Sequence, residues 1–190
     1  MNIKTIMLLG TIALAGCGQS GQSSTLTASM PLNSGGGPFL SQDQAIALSS
    51  WALKDPANTA GNPSRAARAI AAEDWLSGQT MLYGTYDGYA PYGTLAWSQF
   101  RDEARTAIGV PLTAPSQDVV NRLTAASIAL KEGKTEDAKA QLSAPIFTLG
   151  PDRTLQVLTN LPKLNGRDWA FAELNRNTDR TMGGNTGLFH

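Results

Sequence analysis

The sequence predicts an all-α fold, a single small domain of about six or seven short helices arranged as an αα-hairpin array or an irregular bundle. A chain of 190 residues is long enough for one domain with a hydrophobic core and too short for two comfortable ones. Hydrophobic residues make up 42% of the chain, which is ordinary for a globular protein. Ala and Gly are abundant and β-branched runs are few, so the composition favours helices over strands.

Three helices are predicted in the first half of the domain from their start signals and apolar stripes. Ser41 and Gln44 form a capping-box pattern at the start of the first helix. Asn62 and Pro63 place a cap before a proline at the first helical position of a second helix, which ends near residue 82. A third helix is predicted for about residues 92–108. The residues predicted to face the core are Ala45, Leu48, Ala52, Ala66, Ala69, Ile70, Leu76, Tyr83, Trp97, Phe100, Ala104 and Ile108.

Four further helices are predicted in the second half. One starts after Pro115, and Thr135 is expected to cap the next. Another opens at Gly150 and Pro151, and the last opens at Asn165. Their predicted core-facing residues are Val119, Val120, Leu123, Ala126, Leu130, Ala138, Leu142, Leu155, Leu158, Leu161, Trp169, Ala172 and Leu174.

The amino terminus carries a different pattern. Residues 1–16 have the form of a signal peptide, in which Lys4 and the amino group form a short positive region. The apolar run at 6–15 is shorter than the ~20 residues that span a bilayer. It ends in Leu-Ala-Gly followed by Cys17. This motif resembles the lipobox of bacterial lipoproteins, in which a branched residue and two small residues precede the lipidated cysteine.

The resemblance implies cleavage before Cys17, attachment of diacylglycerol to its thiol and, in many bacteria, a further acyl chain such as palmitate on its amino group. Two or three acyl chains anchor a protein firmly, whereas one gives only marginal binding. Gly18 stands where an aspartate would be the signal for retention in the inner membrane. We therefore expect a lipid anchor in the cell envelope, at the outer membrane and facing the periplasm.

Composition sets the predicted domain boundaries. Residues 17–38 consist mainly of Gly, Ser, Gln, Thr and Asn, and we interpret them as the lipid anchor and a flexible tether. Residues 39–178 are predicted to form the helical domain. Residues 179–190 are polar and Gly-rich, and we expect them to form a disordered tail.

The supply of reactive side chains excludes several classes of function. The chain has one cysteine, Cys17, and one histidine, His190. Ser-His-Asp and Cys-His catalysis and zinc sites need more than these two residues supply. No P-loop and no dinucleotide-binding glycine motif is present. Lys and Arg together equal Asp and Glu at 15 each, which argues against nucleic acid as a partner. We therefore predict a protein that is not an enzyme and has no cofactor or metal.

Two pairs of adjacent carboxylates remain, at residues 73–74 and 102–103. Adjacent side chains on a helix point about 100° apart, so neither pair forms a catalytic dyad by itself. Glu73 lies near the apolar stripe of its helix and is a candidate for partial burial with a raised pKa. The alternative is a solvated position or a structural salt bridge, for instance with Arg101 or Arg105. A carboxylate-dependent cell-wall hydrolase is the least favoured function.

An aromatic segment between the second and third helices is the most distinctive local feature. Its flat rings with polar tips suit sugar rings, peptides or a protein partner. The alternative is that the rings fill the gap between the two helices. The candidate ligand- or partner-binding residues are Tyr83, Tyr86, Asp87, Tyr89, Tyr92 and Trp97.

The favoured function combines the anchor with the shortage of catalytic residues. We expect a non-enzymatic module or scaffold that binds an envelope protein. The alternative is binding of cell-wall glycan or peptide through residues 83–97.

Overall fold

The computed structural model describes residues 27–33, 38–83 and 91–183, and these residues form seven α-helices and no strand. The prediction of a small all-α domain is confirmed. No helix among the described residues is long and apolar enough to cross a membrane. The helices are α1 (Gln42–Ala52), α2 (Pro63–Tyr83), α3 (Pro91–Ala107), α4 (Ser116–Lys131), α5 (Thr135–Gln141), α6 (Pro151–Thr159) and α7 (Gly166–Gly183).

Helix α2 is the centre of the domain and packs against α1, α3, α4 and α6. Its small residues let the neighbouring backbones approach closely, above all that of α4. Ser64 Oγ donates to the Ser127 carbonyl at 2.8 Å, and Ser127 Oγ donates to the Ser64 carbonyl at 2.9 Å. The fully buried alanines of α2 are Ala66, Ala67, Ala69, Ala71 and Ala72.

Most predicted helix starts are observed. Ser41 and Gln44 form the complete capping box, and the Asn62 side chain accepts the Arg65 backbone N–H at 2.9 Å. Thr135 differs from the prediction, because it is the first helical residue of α5 and no side chain caps that helix. Helix α7 continues to Gly183, so residues 179–183 are helical rather than part of a disordered tail.

Helix α7 is fixed to α3 by contacts that the sequence did not indicate. The Glu103 carboxylate accepts the backbone N–H groups of Asn165 at 2.8 Å and Gly166 at 2.7 Å. A Cβ at Gly166 would lie 2.9 Å from the Phe100 Cα, so this close approach requires glycine. The start of α7 is thus capped by a side chain from another helix.

Residues 27–33 belong to the folded domain, although we predicted them as part of a tether. The side chains of Ala28 and Met30 are buried. Gln117 Oε1 accepts the Ser29 N–H at 2.8 Å, and Gln117 Nε2 donates to the Ser29 carbonyl at 3.0 Å. Gln79 Nε2 donates to the Ala28 carbonyl at 3.2 Å. The segment lies against the carboxyl-terminal part of α2 and the start of α4. Residues 1–26, with Cys17, lie outside the described residues.

Candidate functional site

The structure describes only part of the predicted aromatic segment. Tyr86, Asp87 and Tyr89 lie outside the described residues, while Tyr83 ends α2 and Tyr92 is the second residue of α3.

Trp97, the remaining member of the predicted segment, is a core residue. Its side chain is 1% exposed, and its ring centroid lies 6.1 Å from that of Phe100 and 5.1 Å from that of Phe171. These distances are typical of packed aromatic pairs. Trp97 fills the space between α3 and α7 and presents no face to a ligand.

The buried carboxylate Asp74 forms an ion pair with Arg105. Arg105 Nε lies 2.6 Å from Asp74 Oδ2, and its Nη2 lies 2.9 Å from Asp74 Oδ1. The guanidinium also donates to the Leu112 and Ala114 carbonyls and to Ser116 Oγ. Both charged side chains are inaccessible to solvent. This pair joins α2, α3 and the start of α4, and its atoms are fully engaged in holding the fold.

Glu73 is buried beside this pair, and neither of its carboxylate oxygens has a hydrogen-bond partner among the described residues. Burial raises the pKa of Glu73 well above its ordinary value, and the nearby Asp74 carboxylate raises it further. Arg101 and Arg105 oppose this increase, while Asp102 adds to it. Burial of Glu73 therefore stabilises its protonated form, whereas a solvated position or a structural salt bridge was the favoured expectation for this residue.

The second carboxylate pair is also used structurally. Glu103 caps α7, and Asp102 Oδ1 accepts hydrogen bonds from Arg101 Nε at 3.2 Å and Nη2 at 2.9 Å. Within the described ranges, no group of three or more His, Cys, Asp or Glu side chains is placed to hold a metal ion. Asp102 and Glu103 thus serve as structural acceptors, and both also line an open cleft of about 510 Å³ beside Lys163.

An open groove of about 1010 Å³ lies where α1, α2, α4 and the start of α5 meet. Its apolar floor comes from Phe39, Leu48, Ile128 and Leu130. We call it the α2–α4 groove, and its remaining lining residues are Gly61, Asn62, Pro63, Ser64, Arg65, Arg68, Ser127, Lys131, Glu132 and Thr135.

Three basic side chains and one acidic side chain line the α2–α4 groove. The Arg68 guanidinium carbon lies 4.8 Å from the Phe39 ring centroid, and that of Arg65 lies 5.2 Å from the ring of Trp51. The acidic residue, Glu132, is paired with Lys134 at 2.8 Å. The groove therefore combines an apolar floor with uncompensated positive charge.

The sequence gives little indication of this groove. Arg65 and Arg68 are three residues apart and so share one side of α2, which is the one local signal available. Phe39 and Ile128 reach the same place only because α2 and α4 pack together.

Comparison of the chain with protein-family models, with curated proteins and with solved structures gives no significant match.

Proposed function

We propose that this chain is a lipid-anchored protein of the bacterial cell envelope, held through Cys17 at the outer membrane and facing the periplasm. Its helical domain binds a partner protein in the α2–α4 groove and acts as an adaptor or scaffold. The open groove is the observation that supports a binding role, because apolar side chains on its floor and beside it are exposed to solvent. Ile128 is 41% exposed and Trp51 is 51% exposed.

The chemistry of the groove supports a protein as its occupant. Aromatic residues and arginine are enriched at the centres of protein interfaces, where they contribute most of the binding energy. Here Arg65 lies over Trp51 and Arg68 lies over Phe39, so these arginines are held in place before a partner arrives. Such preorganisation lowers the entropy lost on binding.

The position of the groove on α2 also suits an adaptor. The segment that leads towards Cys17 is fixed at Gln79, near the carboxyl-terminal end of α2. Arg65 lies near the other end, about 21 Å away along the helix axis at 1.5 Å per residue. Only nine residues, 18–26, separate Cys17 from the first described residue. A partner in the groove would thus bind near the amino-terminal end of α2, about 21 Å along the helix axis from the Gln79 contact.

The anchor is tested by metabolic labelling with palmitate and by membrane fractionation. Because Cys17 is the one cysteine of the chain, Cys17→Ser removes the thiol that takes up the lipid. We expect the wild-type chain to be labelled and to sediment with outer membranes, and the variant to be unlabelled. A variant that still carries label would refute the proposed anchor.

The binding role is tested with two matched surface variants. Ile128→Asp places a charge on the groove floor, and Leu112→Asp places one at a similarly exposed position outside the groove, since Leu112 is 47% exposed. We expect one envelope protein to be captured by the wild type and by Leu112→Asp and to be lost with Ile128→Asp, provided that circular dichroism shows all three folded. Equal capture by all three would exclude the groove. Retention of purified cell wall by all three would favour the glycan alternative.

A further inference from the structure

The basic residues of the α2–α4 groove lack acidic partners within the described residues. Arg68 Nε is buried and has no hydrogen-bond partner among the described residues, and the guanidinium carbon lies 4.8 Å from the Phe39 ring centroid. Arg65 Nη1 donates to the Asn58 carbonyl at 2.7 Å, a neutral acceptor. Lys131 is exposed and forms no ion pair with the described residues.

Two cations that join other elements are paired with carboxylates. Arg105 pairs with Asp74, and Lys139 pairs with Asp152 on the neighbouring helix at 2.8 Å. The groove instead brings together three cations that have no carboxylate partner among the described residues. A carboxylate is the acceptor that arginine binds most strongly.

The walls of the groove indicate the form of the occupant. Most of the lining lies on α1, α2 and α4, and no β-strand is present among the described residues to offer an edge. An extended peptide would find no strand edge to pair with, whereas a helix binds such walls through its side chains alone. An amphipathic helix carries an apolar stripe with polar residues on each side of it, which matches an apolar floor with basic residues beside it.

We infer that the α2–α4 groove binds an acidic amphipathic helix of a partner protein. The apolar stripe of that helix lies on Phe39, Leu48, Ile128 and Leu130, and its carboxylates accept hydrogen bonds from Arg65, Arg68 and Lys131. This inference rests on the proposed function and specifies the chemistry of the partner. A phospholipid headgroup would also supply an anion, and the test below therefore includes phospholipid vesicles.

The test uses the mature polypeptide, residues 17–190, with Cys17→Ser so that no lipid is added. The probe is a fluorescent peptide of about three heptads with leucine along one helical face and glutamate elsewhere. Two control peptides carry glutamine or lysine in place of every glutamate. We expect saturable binding of the glutamate peptide by fluorescence anisotropy, weakened by salt, and at least roughly tenfold weaker binding of the glutamine peptide.

Matched variants locate the binding. Arg68→Gln and Lys131→Gln remove single groove cations, and Arg153→Gln removes an exposed cation on α6 that contacts only the neutral Gln156. We expect each groove variant to weaken binding of the glutamate peptide several-fold and Arg153→Gln to leave it unchanged. The inference is overturned if no peptide binds, or if the glutamate and glutamine peptides bind equally. Binding of phosphatidylglycerol vesicles, but not of the peptide, through the same cations would assign the groove to lipid.

The two proposals fail in different ways. If Ile128→Asp loses the captured envelope protein while Arg68→Gln, Lys131→Gln and added salt leave capture intact, the groove binds a partner that is not acidic. The proposed function then stands and the inference falls. If Ile128→Asp captures the same proteins as the wild type, both fall.

Discussion

Replacing Arg105 by methionine is expected to destabilise the domain by about 3–5 kcal/mol. Arg105 is fully buried and donates five hydrogen bonds, two of them to Asp74. Methionine preserves most of the side-chain length, so the space left is small. The dominant effect is the Asp74 carboxylate, which stays inside the protein without its counter-ion.

The size of the effect follows from the groups left without partners. Removing one member of a buried ion pair typically costs about 3–5 kcal/mol. The Leu112 and Ala114 carbonyls and Ser116 Oγ also lose a donor, which adds about 1 kcal/mol or more where water cannot replace it. Each kcal/mol lowers the midpoint of thermal unfolding by roughly 2–4 °C in a protein of this size. A decrease on the order of 10 °C is therefore expected.

The assay is urea unfolding followed by far-ultraviolet circular dichroism, with Arg153→Met as the control. Arg153 is exposed on α6, and its loss should change the free energy of unfolding by less than about 0.5 kcal/mol. The double variant Asp74→Leu with Arg105→Met should recover a large part of the loss, because the uncompensated charge is gone. A loss below about 1 kcal/mol for Arg105→Met would refute the reasoning, since the pair would then be accessible to water.

Three further variants test separate features of the fold. Because the pKa of Glu73 is raised, the folded state holds a proton that the unfolded state releases, so stability falls as pH rises above the ordinary carboxyl range. Glu73→Gln should reduce the dependence of the free energy of unfolding on pH, measured by urea titration at several pH values, and should stabilise the domain at neutral pH. An unchanged pH dependence would contradict this. Gly109→Ala should be more destabilising than Gly133→Ala. Both glycines have positive φ, so alanine at either position should lower the free energy of unfolding by about 1–2 kcal/mol. Only at Gly109 would the added Cβ also overlap Leu149. If the two variants lower the midpoint of thermal unfolding by similar amounts, the overlap is excluded. Glu103→Ala should lower the free energy of unfolding by about 1–3 kcal/mol and speed amide hydrogen exchange at the start of α7. Unchanged exchange would show that water replaces the Glu103 cap.

The helices were predictable because their signals are local. The capping box at Ser41 and the cap at Asn62 each lie within a few residues of the group that they satisfy. The stripe through Trp97, Phe100 and Ala104 repeats at the helical period, and all three side chains are buried. The continuation of α7 to Gly183 was missed because its last turns are polar, and polarity alone does not distinguish a solvated helix from a disordered tail.

The sites were less predictable because they depend on which helices meet. Spacing placed Glu73 near the core, but adjacent carboxylates point in different directions, and spacing alone does not tell which one Arg105 binds. In the structure Arg105 pairs with Asp74, and Glu73 has no hydrogen-bond partner among the described residues. The α2–α4 groove could not be predicted at all, because Phe39, Arg68 and Ile128 come from three distant parts of the chain.

The contact between Gln117 and Ser29 has a consequence for how the amino-terminal segment tolerates mutation. The Gln117 side-chain amide hydrogen-bonds with both the N–H and the carbonyl of Ser29, as the backbone of a neighbouring β-strand would. The Ser29 hydroxyl has no part in these two bonds, so many side chains are compatible with this position. Proline is the exception, because it removes the N–H. The attachment of residue 29 thus depends on residue 117, far along the chain, while the buried side chains of Ala28 and Met30 constrain the sequence on either side of it.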